Sequence, residues 1–162
     1  MKKCLLTVLP GLTCAYVVFI TTGCGKSTPP APNVISATVG GQVWLSQSAA
    51  GIEPPGLGVI TLVGLNFSAD DSSQLEIDLT DTIPLHKADP FLHTSVRYFA
   101  GDGTVYEGEP AIGAHGVVTV NSLDTETHKV TGTFSGVLYN ASNSQDSLAV
   151  TNGVFSSSYR VN

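Results

Sequence analysis

The chain has 162 residues, with 13 acidic against seven basic side chains, a formal net charge of −6, and only 12% charged residues. That balance, without a basic cluster, argues against a nucleic-acid binder, whose affinity comes mainly from cationic contacts to phosphate. It argues equally against electrostatic attachment to an anionic lipid surface.

Lys2 and Lys3 open the chain, an apolar stretch runs from Leu5 to Ile20 around Pro10-Gly11, and Thr21-Thr22-Gly23-Cys24 closes it. A spanning helix needs roughly 20 apolar residues, so this shorter, interrupted stretch reads as a secretory targeting segment. With a cysteine at the cut site it resembles a bacterial lipoprotein signal. That pattern sets an aliphatic residue three before the cysteine and small residues at the next two. Thr22 and Gly23 match it, while Thr21 departs and Ile20 lies one step further back. The resemblance implies cleavage before Cys24 and acylation of Cys24, which makes residues 1–23 the signal peptide. Ordinary cleavage near Gly23 and an uncleaved anchor are the alternatives.

Cys4 and Cys14 leave with that signal and Cys24 carries the lipid, so the mature domain is expected to hold without a disulfide. Removing 23 of 162 residues leaves 139, an ordinary single-domain length. Five cations then face 13 anions, a net charge of −8, and the lipid rather than charge must hold the chain to a membrane. Residues 24–33 form the lipidated cysteine and a tether whose three prolines keep it extended and solvated. A single all-β domain is expected over 34–162.

From Val34 onward, period-two patterns dominate and helical periodicity is absent. Ile35 to Leu45 reads as two strands around Gly40-Gly41, with Trp44 in the core. Gly51 to Gly58 reads as a loop, and Val59 to Phe67 and Gln74 to Thr80 as a hairpin closed through Asp70-Asp71-Ser72-Ser73. In the second of these strands Leu75, Ile77 and Leu79 alternate with Glu76, Asp78 and Thr80, giving one buried and one wet face. Residues 81–93 form the longest connection. Thr94 to Ala100 and Thr104 to Glu107 flank Gly101-Asp102-Gly103, a tight-turn signal. A strand over Gly116 to Asn121 precedes two long ones, Val130 to Tyr139 and Ser147 to Val161, joined by a polar loop at 140–146. Asn152-Gly153 is expected to be a bulge, with Gly153 opposite or beside Gly132, since the loop at 140–146 already reverses the chain; a turn between two shorter strands is the alternative. The sum is an antiparallel β-sandwich or up-and-down barrel of about eight or nine strands.

Three stretches together carry a family resemblance: Ser36 to Trp44, Gly132-Thr133-Phe134-Ser135-Gly136, and Val150 to Phe155. They resemble uncharacterised small all-β lipoproteins of the Bacteroidota, which open with a Gly-x-x-Trp element and close with Gly-Thr-Phe-Ser and Asn-Gly-x-Phe strands. The resemblance implies fold and cell-envelope location, and no activity. In such lipoproteins acidic residues just after the cysteine mark surface export. Gly25-Lys26-Ser27-Thr28 contains none, which implies the periplasmic face, and Gly25 in place of an aspartate after the cysteine resembles the enterobacterial pattern for passage to the outer membrane. Asp81-Thr82-Ile83 and Asp146-Ser147-Leu148 resemble the O-glycosylation sites of those envelope proteins.

Local chemistry is sparse. His86, Asp89 and His93 have residue types and spacing for a transition metal, but Pro84 and Pro90 break the helix that would align them, so no metal or other cofactor is expected. Asp70, Asp71, Asp102, Glu107 and Glu109 carry oxygens for Ca²⁺, with no EF-type loop to gather them. Ser135 falls in mid-strand, where a nucleophile elbow cannot form. Trp44, Tyr98, Tyr106, Tyr139 and Tyr159 are the aromatics available for a stacking platform, against core packing. The expected function is a non-enzymatic binding or scaffolding module with a protein or glycan partner, contacted through the loops at 51–58, 81–93 and 108–116. A small periplasmic hydrolase and a barrel carrier of an apolar ligand are the alternatives.

Overall fold

The computed structural model describes residues 33–67, 72–80 and 82–162. The expected signal peptide, Cys24 and the tether up to residue 32 lie outside the described residues, as do Asp70, Asp71 and Asp81. Asn33, expected to end the tether, already belongs to the domain. Its Oδ1 accepts hydrogen bonds from the backbone N–H of Ser158 at 3.0 Å and the Ser158 hydroxyl at 3.3 Å.

The domain is all-β, as the alternation requires. Gly40 and Gly41, at φ 56° and 84°, make the two-residue turn between β1 (Val34–Val39) and β2 (Gln42–Leu45). β3 (Ser48–Glu53) and β4 (Val59–Phe67) pair, and β4 continues to β5 (Ser72–Thr80). β6 (Ala88–Pro90) is a short strand, and β7 (Ser95–Phe99) and β8 (Val105–Glu107) form the Asp-Gly hairpin. β9 (His115–Asp124), β10 (Lys129–Asn140) and β11 (Asn143–Val161) end the chain.

These eleven strands, not eight or nine, form one sheet in the order β2-β1-β11-β3-β4-β5-β7-β8-β10-β9-β6, and β10 also pairs β11. The extra pairing closes a ring through β11, β3, β4, β5, β7, β8 and β10. β11 makes this possible by its length. β10 runs along one edge of it, while β1 takes Val150 to Ser156 and β3 takes Tyr159 to Val161. The β3–β11 pairing is parallel, so the sheet is mixed, contrary to the purely antiparallel expectation.

Inward positions fill the ring. Ile35, Leu62, Leu75, Ile77, Val96, Leu138 and Phe155 are all fully buried and belong to one apolar cluster. Burying each such side chain contributes roughly 1.5–3 kcal/mol. Trp44 sits in the same cluster, and its indole N–H donates to the Ser73 hydroxyl at 2.8 Å, which removes the cost of burying that donor.

Between β10 and β11, Gly132 lies opposite Phe155 and Gly153 opposite Phe134, so the two glycines do not face each other. A Cβ on either glycine would overlap the facing ring. The expected bulge is present just before Gly153. Phe134 pairs Gly153 and Gly136 pairs Val150, leaving Thr151 and Asn152 to share one position, with Asn152 at φ 52°.

Candidate functional site

The outer face of β5 carries the wet half of its alternation, and β4, β7 and β8 extend that face on either side. Antiparallel register puts Thr61, Asp78 and Ser95 in one row and Glu76, Arg97 and Glu107 in the next. Asp78 gathers three donors. The Thr61 hydroxyl reaches its Oδ1 at 2.7 Å, while the Ser95 hydroxyl and Arg97 Nη2 reach Oδ2 at 2.9 and 2.8 Å. Arg97 Nη2 also meets Glu76 Oε1 at 2.5 Å. Partial burial works against the charge of Arg97. The hydrogen bond to Asp78 and the charges of Glu76, Asp78 and Glu107 outweigh it, holding the guanidinium pKa above its ordinary value. One cation thus faces three carboxylates, and the face keeps a net negative charge.

Loops turn this face into an open groove of about 840 Å³. Pro54 and Leu57 stand on one side, and Leu92, Pro110 and Ala111 belong to the other walls. The three loop regions expected to meet a partner do converge on this groove. Within them, though, residues 51–53 are strand, Ala88 to Pro90 form β6, and His115 and Gly116 begin β9. Phe91 fixes the second wall. Its ring is seated against Gly108, Gly116 and Gly136, where any Cβ would collide with it, and its N–H donates to Gly116 O at 3.2 Å. Leu57 and Leu92 remain 68% and 71% exposed at the groove. These two leucines add exposed apolar surface beside the charged floor, on a face where Phe67 at the far end of β4 is also 56% exposed.

The expected metal residues separate. Asp89 and His93 meet, with Nδ1 and Oδ1 3.2 Å apart, and Asp89 is buried with Oδ2 lacking a hydrogen-bond partner. His86 does not complete a triad. It sits at φ 60° with its N–H donated to Val120 O, and among the described residues no three His, Cys, Asp or Glu side chains assemble as a metal site. β6 is the reason: strand geometry replaces the helical turn that would align positions 86, 89 and 93.

Other expected features resolve as structure. Trp44, Tyr98 and Tyr159 are core residues, so the five aromatics form no common platform. Asp102 closes its own turn by accepting the Thr104 N–H at 2.8 Å. Ser135 lies within β10, paired with Val117. Asp146 accepts hydrogen bonds from the Tyr106 hydroxyl and Asn140 Nδ2, both at 3.0 Å, and Ser147 beside it is exposed. Arg97 and its three carboxylates were not foreseen as a unit. The available signal was an arginine at an outward position of a strand adjacent to the Glu76 and Asp78 face.

Fold and groove define a class: an all-β domain built as a closed strand ring, with an open, net acidic groove on one outer face. Neither the family models, nor the curated proteins, nor the solved structures with which the chain was compared match it.

Proposed function

We propose that this chain is a non-enzymatic binding module of the bacterial cell envelope. It is held by lipid on Cys24 at the periplasmic face of the outer membrane, as in the Bacteroidota lipoproteins it resembles. The observation that carries the binding role is the groove, where three loops frame a charged floor and leave Leu57 and Leu92 in water. Its chemistry favours a peptide segment of a protein partner. Exposed leucines on such a segment's flanks lose water on contact, and the surplus carboxylates attract its lysines or arginines. The filled ring speaks against a carrier, since the apolar interior is occupied by the protein's own side chains.

A hydrolase is the second reading, because a buried Asp89 orients the exposed His93 at the groove. Against it, the neighbouring hydroxyls are committed elsewhere. Thr94 Oγ1 donates to Pro90 O, and Ser95 Oγ donates to Asp78. Neither is bonded to His93 as a nucleophile must be.

Two experiments test this reading. Labelling with a palmitate analogue should mark the wild type and not Cys24→Ala; equal labelling of both removes the anchor. Titration with a peptide of alternating leucine and lysine should shift the NMR signals of Ser95, Arg97 and Ala111, whereas a leucine–glutamate peptide should not. Equal shifts, or none, remove the groove as a peptide site.

A further inference from the structure

The two ends of the sheet differ in a way that the groove does not explain. β6, at one end, is blunted: it has three residues, Pro90 offers no N–H, and Asp89 turns a carboxylate inward. Each is a known protection against further strand pairing. β2, at the other end, is four residues long and has neither of the other two. Its sequence Gln-Val-Trp-Leu holds no charge and no proline, and no strand covers its outer edge among the described residues.

The backbone groups left open on β2 follow from its pairing with β1. The Ser46 N–H donates to Ile35 O at 2.9 Å, and donors alternate along an antiparallel strand, so Gln42 and Trp44 also turn theirs toward β1. Val43 and Leu45 therefore point N–H and C=O outward. Their side chains are 88% and 53% exposed, on the face opposite buried Trp44. The row from Leu45 runs through Ser36, Val154, Thr133 and Thr119, without a charged residue. In a chain of net charge −6, this is where two copies can meet without opposing carboxylates.

We propose that the β2 edge is a self-association surface, on which β2 of a second copy adds antiparallel about a two-fold axis. Residues directly opposite in such a pair share a face, so Val43 cannot face Trp44. Setting Val43 against Leu45 of the second copy, with Trp44 against Trp44 on the axis, engages every open backbone group of both edges. It also brings the exposed valine and leucine together. The contact is isologous, so it closes at two copies.

The test is the protein mass of the full chain in detergent, by light scattering with the detergent subtracted. The wild type should show twice the mass of one chain. Val43→Lys adds a charge at an exposed edge position and should give the mass of one chain, with an unchanged far-ultraviolet spectrum. Val43→Pro removes an outward N–H and also fixes φ, and where its far-ultraviolet spectrum is unchanged it should act likewise, while Leu57→Lys at the groove should leave the dimer intact. A monomeric wild type, a dimer that persists in folded Val43→Lys, or a dimer lost in Leu57→Lys would each overturn the proposal. A Val43→Lys chain that fails to fold passes the decision to Leu45→Lys, judged by the same masses.

Discussion

Arg97 is the residue on which the groove floor depends, because among the described residues it is the cation that meets Glu76 and Asp78 and faces Glu107. Arg97→Met keeps the side-chain bulk and leaves three carboxylates in adjacent register. About a third of the side chain is exposed, so solvent screening limits the loss to about 1 kcal/mol. The urea midpoint should fall at low salt and recover part of the way in about 1 M salt, where the Debye length is about 3 Å. A deficit indifferent to salt would mean lost packing, not repulsion. Tyr106 gives a pH signature. Its hydrogen bond to Asp146, then partial burial and the charge of Asp146, raise its pKa above 10.0. The neutral phenol is the form favoured by folding, so the contribution is complete below the unfolded pKa and is lost as pH rises through the higher folded one. Asp146→Asn should lower the pH at which Tyr106 ionises, read by absorbance at 295 nm.

At the scale of elements, the reciprocal Gly–Phe pairs lock β10 to β11. Gly132→Ala would set a methyl against the Phe155 ring and the Thr119 carbonyl, and should destabilise by about 1–3 kcal/mol through overpacking. Adding Phe155→Leu should make the double variant more stable than the sum of the two single losses, because the clash and the ring disappear together. Exact additivity in urea unfolding would show that the two do not touch. What was legible here depended on strand length. β5 alternates over nine residues, and β10 over twelve, so pattern alone placed them. β6 has three residues, one of them a buried aspartate, and no periodicity can develop in that span. β3 was lost among alanines and a glycine, whose small side chains carry little apolar signal. The loop expected at 140–146 shrinks because Asn140 and Asn143 pair across Ala141-Ser142. The groove was half legible: its loops were foreseen from their glycines and prolines, while the Arg97 cluster depends on cross-strand register that no local pattern encodes.

For the whole molecule, the decisive feature is closure of the strand ring, and it rests on the last residues of the chain. Tyr159, Arg160 and Val161 pair parallel with Gly51, Ile52 and Glu53, joining β11 to the groove-bearing half of the sheet. Tyr159 is buried, and its ring meets His128 edge-on at 5.3 Å. The other corner is narrower still, since only Tyr139 and Asn140 of β10 pair with β8. Two short corners hold the faces together, so removing one should cost more than its side chains alone. Tyr159→Ala tests the side chain and should lose about 3–5 kcal/mol, as for other large buried aromatics. Ending the chain after Ser158 removes the same side chain and also the parallel pairing that closes the ring. Urea unfolding should then begin earlier and spread over a wider range, as the groove strands open before the β10–β11 half. If the truncated chain unfolds like Tyr159→Ala, with the same midpoint and slope, ring closure contributes nothing beyond one aromatic side chain, and the two halves of the sheet are held by the core they share.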